Sequence, residues 1–424
     1  MTDGTSTAHL YRPKLFTIFR EGYGFESFRQ DLLAAVTVAI VALPLSMAIA
    51  VASGVSPERG LYTSIIGGAL VSALGGSRYQ IGGPAGAFIV LVAATVAKFG
   101  LEGLLLTVFV SGLMLTVLGL LRIGSLIRHI PHAVTVGFTS GIAVTILASQ
   151  LKDLAGLKLA GAEPGPLFPK LAVLGSAVAT FNPFAVGLGL ATVAVIVVTR
   201  KFRPTWPGML IAVALAAVLA GALHLPVETI GSRFGELPHA LAMPHLPEMN
   251  LQLLLDVLPA ALSFTLLGGV ESLLSAKVAD GMTGRKHRSN MELVAQGIAN
   301  VGSALFGGIS VTGTIARTAT NIRAGARSPV SGIMHALFLL IFLLVAAPFA
   351  SFVPLSGLAG ILVVVCWNMA EKREFANLLA EWRGAAVLLT TFVATLVKDL
   401  TTGIIAGCLL AGMFALLGRR LPAE

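Results

Sequence analysis

Two ionisable residues stand inside otherwise apolar stretches, and their chemistries are complementary. Glu271 lies within LLGGVESLLSAKVAD, and Arg317 closes SVTGTIAR. An ionised side chain in an apolar setting is costly, so such residues usually face a cavity or a partner. Glu271 shares a helical face with Gly268 and Ser275, small residues that permit close packing on another element. A carboxyl there can exchange a proton or coordinate a cation. It can equally be a structural group that ties helices together. Arg317 carries a permanent positive charge. It follows a Gly-rich break, and a second such break, IGGPAGAF, occupies residues 81–88. Helix N-termini attract anions through free N–H groups and the helix dipole. Half-helices starting at Pro84 and near Thr314 would aim two such ends at one point, with Arg317 one turn in. That constellation is an anion site. The plainer reading is a snorkelling or salt-bridged arginine, with Glu271 itself as a candidate partner.

Other positions carry weaker signals. Pro44 removes a backbone hydrogen bond and would kink its helix, so Leu45, Ser46 and Ile49 could line a cavity or simply pack. Gly137 and Gly141 have small-xxx-small spacing, a packing signature. Gln296 and Asn300 suit interhelical hydrogen bonds. No HExxH, Walker A or nucleophile-elbow motif is present, so enzyme readings lack support. The two cysteines, Cys366 and Cys408, sit in apolar runs and indicate neither a disulfide framework nor a metal site. No metal and no cofactor is expected.

The elements that must position these residues are membrane helices. The chain of 424 residues is 56% hydrophobic and only 12% charged. Soluble domains carry about 25% charged residues, so half that share cannot cover a water-facing surface. A spanning helix needs roughly 20 apolar residues. Fourteen runs of that character can be traced, at 31–52, 61–75, 84–97, 101–121, 133–148, 184–198, 207–223, 257–276, 293–306, 313–323, 330–347, 355–369, 384–397 and 402–417. The formal charge of +9 does not point to nucleic acid, because the basic residues sit in short loops and form no stripe.

A polar, Pro-rich stretch at 224–250 divides the runs seven and seven. Seven is odd, so the second half would enter the membrane from the opposite side, as an inverted repeat. The third run of each half is the interrupted one, and matching interruptions point to a midplane binding site. The expected division is a cytoplasmic segment at 1–30, a first repeat at 31–223, an extracytoplasmic linker at 224–250 and a second repeat at 251–418. Lys and Arg mark cytoplasmic loops. With a cytoplasmic N-terminus, 21 of the 29 basic residues fall inside, seven outside, and Arg317 remains within a run. Both termini are therefore expected in the cytoplasm, with the protein multi-pass in the inner (plasma) membrane.

The sequence from Asp31 to Gly68, DLLAAVTVAIVALPLSMAIAVASGVSPERGLYTSIIGG, closely resembles the first two helices of the SulP anion transporters, the sulfate permease and prestin family. GGPAGAF, GFTSGIAVTILASQL, ESLLSAKVAD and GGISVTGTIARTATNIRAGARSPVSG resemble that family too. The resemblance covers the whole membrane region and suggests the membrane domain of a bacterial member. It implies a core domain of spans 1–4 and 8–11, a gate domain of spans 5–7 and 12–14, elevator-like movement of the core, and a homodimer. It places the pocket on Leu45, Ile49, Ala85, Gly86, Thr314, Ile315, Ala316 and Arg317, and the coupling acid on Glu271. Two departures matter: many relatives have Gln where Leu45 stands, and Ser where Ala316 stands. The pocket then offers fewer side-chain hydrogen bonds, and backbone N–H groups carry more of the recognition. Relatives usually continue into a STAS domain, whereas this chain stops at RRLPAE, as either a natural short member or, the preferred expectation, a truncation to the membrane domain.

The resulting expectation is a secondary transporter of a small anion in the bilayer, coupled to protons through Glu271. The anion is a dicarboxylate, sulfate or bicarbonate, in that order. A sodium-coupled bicarbonate transporter is one alternative, with Glu271 coordinating Na+. An uncoupled anion channel or motor-like protein is another. A nucleobase permease of the same architecture fits less well, because those proteins typically place a carboxylate in span 10.

Overall fold

A computed structural model describes residues 11–124, 131–161, 163–164, 167–204, 206–398 and 400–417. Arg128, Arg419 and Arg420 lie outside the described residues. In chain order the elements are α1 (Lys14–Glu21), α2 (Phe25–Ala52), α3 (Pro57–Tyr62), a π turn (Thr63–Gly67), α4 (Gly68–Leu74), β1 (Gly82–Gly83), a 3-10 turn (Gly86–Phe88) and α5 (Ile89–Leu120). They continue with α6 (His132–Ala155), α7 (Leu167–Ser176), a second 3-10 turn (Val178–Thr180), α8 (Pro183–Phe202), α9 (Gly208–Ala222) and α10 (Ile230–Phe234). Then come α11 (Leu251–Thr283), α12 (Ser289–Leu305), β2 (Thr312–Gly313), α13 (Ile315–Arg323) and α14 (Val330–Ala350). The last are α15 (Leu355–Met369), α16 (Lys372–Leu379), α17 (Trp382–Val397) and α18 (Leu400–Leu416).

Every one of the fourteen apolar runs falls on helix. Lipid offers a backbone no hydrogen bonds, and a helix satisfies its N–H and C=O groups within one segment. Among the described residues, seven helical segments are long and apolar enough to cross a membrane by length and composition. Large apolar side chains point outward in numbers, as at Val345 (72% exposed) and Leu409 (70%), a surface that water would not tolerate. The third and fourth runs share one helix, α5, interrupted only at Gly100, whose φ of 70° favours glycine. α2 continues unbroken through Pro44.

The chain forms two compact units. One comprises Met1–Phe88, Lys98–Arg128 and Glu236–Ser351, and the other Ile89–Ala97, His129–Gly235 and Phe352–Glu424. In the first unit α2 packs on α13 and α14, α11 on α12 and α13, and α12 on α4 and the π turn. In the second unit α6 is central, against α15 and α17, while α8 packs on α9 and α15. The Gly137/Gly141 pair does the packing its spacing implies. A methyl at Gly137 would lie 2.6 Å from the Leu388 carbonyl oxygen, and one at Gly141 2.9 Å from the Thr395 methyl.

A close helix approach in the first unit brings α5 against α12 at Gly112 and Gly297. A methyl at Gly297 would sit 2.5 Å from both the Gly112 carbonyl oxygen and the Thr116 nitrogen. Backbone cannot yield there without separating the helices. Gly297→Val is expected to destabilise the folded protein by roughly 1–3 kcal/mol, the range for overpacking. A thermal melt in detergent measures it, and an unchanged midpoint would contradict the close approach.

Candidate anion-binding site

The two Gly-rich breaks meet each other. β1 and β2 form an antiparallel pair, with Gly82 opposite Gly313 and Gly83 opposite Thr312. Glycine is needed because neighbours crowd both strands. A methyl on Gly82 would lie 2.8 Å from Val71, and one on Gly313 would overlap the Gln80 amide. From this pair the chain leaves in opposite senses. One exit passes Pro84 and Ala85 into the 3-10 turn at Gly86 and then α5. The other passes Thr314 into α13. The first half-helix thus starts two residues later than Pro84, and Gly83, before the proline, is held extended in the strand.

The α13 N-terminus is uncapped. Thr314 sits at its N-cap position, yet its side chain makes no capping hydrogen bond. Its N–H donates to the Ile81 carbonyl at 3.0 Å, and its hydroxyl to the same oxygen at 3.3 Å. The first N–H groups of α13 are left for something else.

Arg317 is 1% exposed. Its Nη1 donates to Ser64 Oγ at 3.1 Å and its Nη2 to Ser46 Oγ at 3.0 Å. The two hydroxyls are 2.8 Å apart, and Ser46 in turn donates to the Ala42 carbonyl at 2.7 Å. Nε has no partner. Arg317 neither snorkels nor pairs with Glu271, for it is in no ion pair among the described residues. It is a buried cation dissolved in two hydroxyls. It also lies against Gly83, where a methyl would come 2.1 Å from Nη1.

The site residues fall into two groups, all in the first unit. Ala85, Gly86, Thr314, Ile315, Ala316 and Arg317 flank the β pair. Ala316 points outward, while Ala85, Thr314 and Arg317 are buried. Leu45 and Ile49 are buried on α2 on either side of Ser46. Between them, Ser46 joins α2 to Arg317 by a hydrogen bond.

Glu271 lies on α11, partly exposed. Among the described residues its carboxylate accepts no hydrogen bond and joins no ion pair, unlike a carboxylate that ties helices together. The adjacent Ser272 does the tying. Its Oγ is 2.8 Å from Thr312 Oγ1 and accepts from the Gly313 N–H at 3.3 Å. One turn on, Ser275 donates to Thr318 Oγ1 at 3.2 Å, which also accepts the Ile81 N–H at 3.1 Å. Glu271 therefore rides on a helix joined to β2 and α13.

Several buried polar groups escape a sequence reading. Ser64 lies in the π turn, a one-residue irregularity often found at functional sites. Glu292 is fully buried at the start of α12 and accepts the Ser77 N–H at 2.8 Å. An apolar run begun at Leu293 passes over it by one residue. His335 is fully buried on α14. Asn300 holds the second break. Its Nδ2 donates to the Gln296 and Val311 carbonyls at 2.9 and 2.8 Å, and its Oδ1 accepts from Val311 N–H and Ser310 Oγ at 3.1 Å each. Asn300→Ala would orphan buried backbone groups beside β2, each at a cost of about 1–3 kcal/mol. A lowered detergent melting temperature is expected, together with faster amide exchange at Val311. Unchanged exchange would rule out this anchoring role.

A sulfate permease family profile matches residues 28–395. YvdB of Bacillus subtilis, which carries the provisional name of a sulfate transporter, is 46% identical over 400 residues, covering 93% of this chain and 74% of its own. The bicarbonate transporter BicA of Picosynechococcus is 30% identical over 410 residues, covering 92% and 71%. The solved transmembrane domain of a cyanobacterial BicA superposes with a TM-score of 0.80 at 32% identity, covering 90% of this chain and 98% of that one. The structure of SLC26A9 has the same fold, with a TM-score of 0.88 at 18% identity, covering 97% and 69%. These proteins are transporters and not enzymes. A match over most of the chain places this protein in the sulfate permease family.

Proposed function

We propose that the protein is a secondary carrier of small oxyanions, bound at the paired helix starts beside β1 and β2. The uncapped N-terminus of α13 next to a buried Arg317 that has no counter-ion among the described residues is the observation that carries this reading. Each helix start contributes roughly half an elementary charge. With Arg317 the site holds about two positive charges. That balance suits a divalent ion, a dicarboxylate or sulfate, better than bicarbonate. The names of the relatives support sulfate and bicarbonate as substrates to test first. Leu45 and Ala316 present no polar group, so backbone N–H donors carry the specificity.

Glu271 is the coupling acid in this reading. Protonated, it leaves the site's positive charge undiminished; ionised, it subtracts one unit. Anion and proton then bind together and cross together. The two compact units support an elevator in which the first, holding every site residue, moves as the core while the second acts as the gate. Fourteen spans in an inverted repeat, a homodimer and cytoplasmic termini complete the proposal. Uptake into liposomes of labelled sulfate, succinate and bicarbonate, with proton or sodium gradients imposed singly, tests it. A carrier shows saturable uptake, with sulfate or succinate driven by protons. Unitary conductance without saturation would make it a channel. Sodium-driven bicarbonate uptake alone would instead support the second reading, whose substrate is the one that BicA's name gives.

A further inference from the structure

A cavity of about 630 Å³ opens in the first unit, away from the β pair. Its wall includes Glu21, Tyr23, Arg78, Arg285, Arg327 and Ser328. Four chain segments are joined around it. Lys14 donates from its backbone to Gly75 and from Nζ to the Lys286 carbonyl, both at 2.9 Å. Arg288 donates from its backbone to Gly76 at 3.0 Å and from Nη1 to Thr17 at 3.0 Å. Buried Asp31 accepts from Tyr23 Oη at 2.8 Å and from the Arg327 and Ser328 N–H groups at 2.6 and 3.0 Å.

The charges in this wall do not balance. Arg78 grips Glu21 with both bonds from one nitrogen, 2.6 and 2.7 Å, and holds that carboxyl below its usual range. Arg285 and Arg327 remain, both exposed. Among the described residues the Arg285 guanidinium makes no hydrogen bond. The Arg327 guanidinium donates, among the described residues, only from Nε, to Gln30 at 2.6 Å. Arg285, which acts on Glu21 only through space, and Arg327 therefore face a space of ligand size, neither guanidinium hydrogen-bonded to an anion among the described residues. Such planar forks match phosphate geometry.

The surroundings favour one source of phosphate. α1 turns Ile18 inward at 5% exposure and Phe16 and Phe19 outward at 57% and 56%, and Phe25 beyond it is 80% exposed. Aromatic residues beside basic ones on a short helix mark an element lying at headgroup depth. We infer that this cavity binds the phosphate of an anionic phospholipid headgroup, with Arg285 and Arg327 as its ligands and α1 resting in the lipid surface beside it. The site is separate from the anion-carrying one and does not depend on that reading.

Native mass spectrometry of the full chain in detergent tests this, with short-chain phosphatidylglycerol, phosphatidylcholine of the same chain length, and glycerol phosphate as probes. Phosphatidylglycerol is expected to bind one molecule per chain, the other two far more weakly. Arg285→Gln with Arg327→Gln should lower that occupancy by about tenfold or more. A control with Lys98→Gln and Lys158→Gln should not. If the double variant fails to fold, Arg285→Gln alone serves, being on an exposed loop. Equal phosphatidylglycerol binding by wild type and variant overturns the site. So does an equal loss in the lysine control, which would reduce the effect to net charge. Glycerol phosphate binding as tightly as the lipid overturns the bilayer as the source.

Discussion

Arg317→Ala is expected to weaken apparent anion affinity at least about 30-fold, the low end of what truncating a buried, hydrogen-bonded charge costs, about 2 kcal/mol. The protein should still fold. Ser46 and Ser64 remain 2.8 Å apart and bonded to each other, and Ser46 keeps its bond to Ala42. Removing an ion that lacks a counter-ion also removes its desolvation cost. The loss should therefore appear in transport and not in the melting temperature. Arg317→Lys should recover only part of it, because one ammonium cannot span two hydroxyls as the guanidinium fork does. Concentration-dependent uptake of sulfate, succinate and bicarbonate measures the effect. An unchanged half-saturation for all three would remove Arg317 from the site.

Glu271→Gln is expected to uncouple uptake from the proton gradient while leaving exchange intact. Glutamine matches the shape of a protonated glutamate but cannot titrate. No partner is orphaned, because the carboxylate has none among the described residues. For a carrier moving one proton, each pH unit is worth about 1.4 kcal/mol, or tenfold in accumulation. Wild-type liposomes with an acid exterior should show that gain, and variant liposomes none. Counterflow of labelled against unlabelled anion should persist in the variant. A variant that still concentrates anion on a pH gradient would sink the coupling role of Glu271.

Much of the architecture was legible because membrane helices obey a simple rule. Each apolar run must close its own hydrogen bonds, so runs traced from hydropathy fall on helices without knowledge of their neighbours. The breaks were legible for a related reason: only Gly-rich stretches let backbone leave the helix at membrane depth. Glu271 and Arg317 stood out because ionised groups are rare there. Boundaries were less legible. α2 starts at Phe25, before the apolar run, since its first turns are polar. α1 and α16 are too short and mixed to register as runs.

What the sequence determined by itself is the class of molecule, the helices, the two breaks and the two charges, since each follows from local composition and solvent. What only the tertiary structure decided is who meets whom. Gly82 finds Gly313 across more than half the chain, and Arg317 finds Ser46 and Ser64 at separations of 271 and 253 residues. A serine in an apolar run looks the same whether it back-bonds to its own helix or receives a guanidinium. That choice belongs to packing, because a buried cation takes whichever oxygens the folded helices bring within about 3 Å.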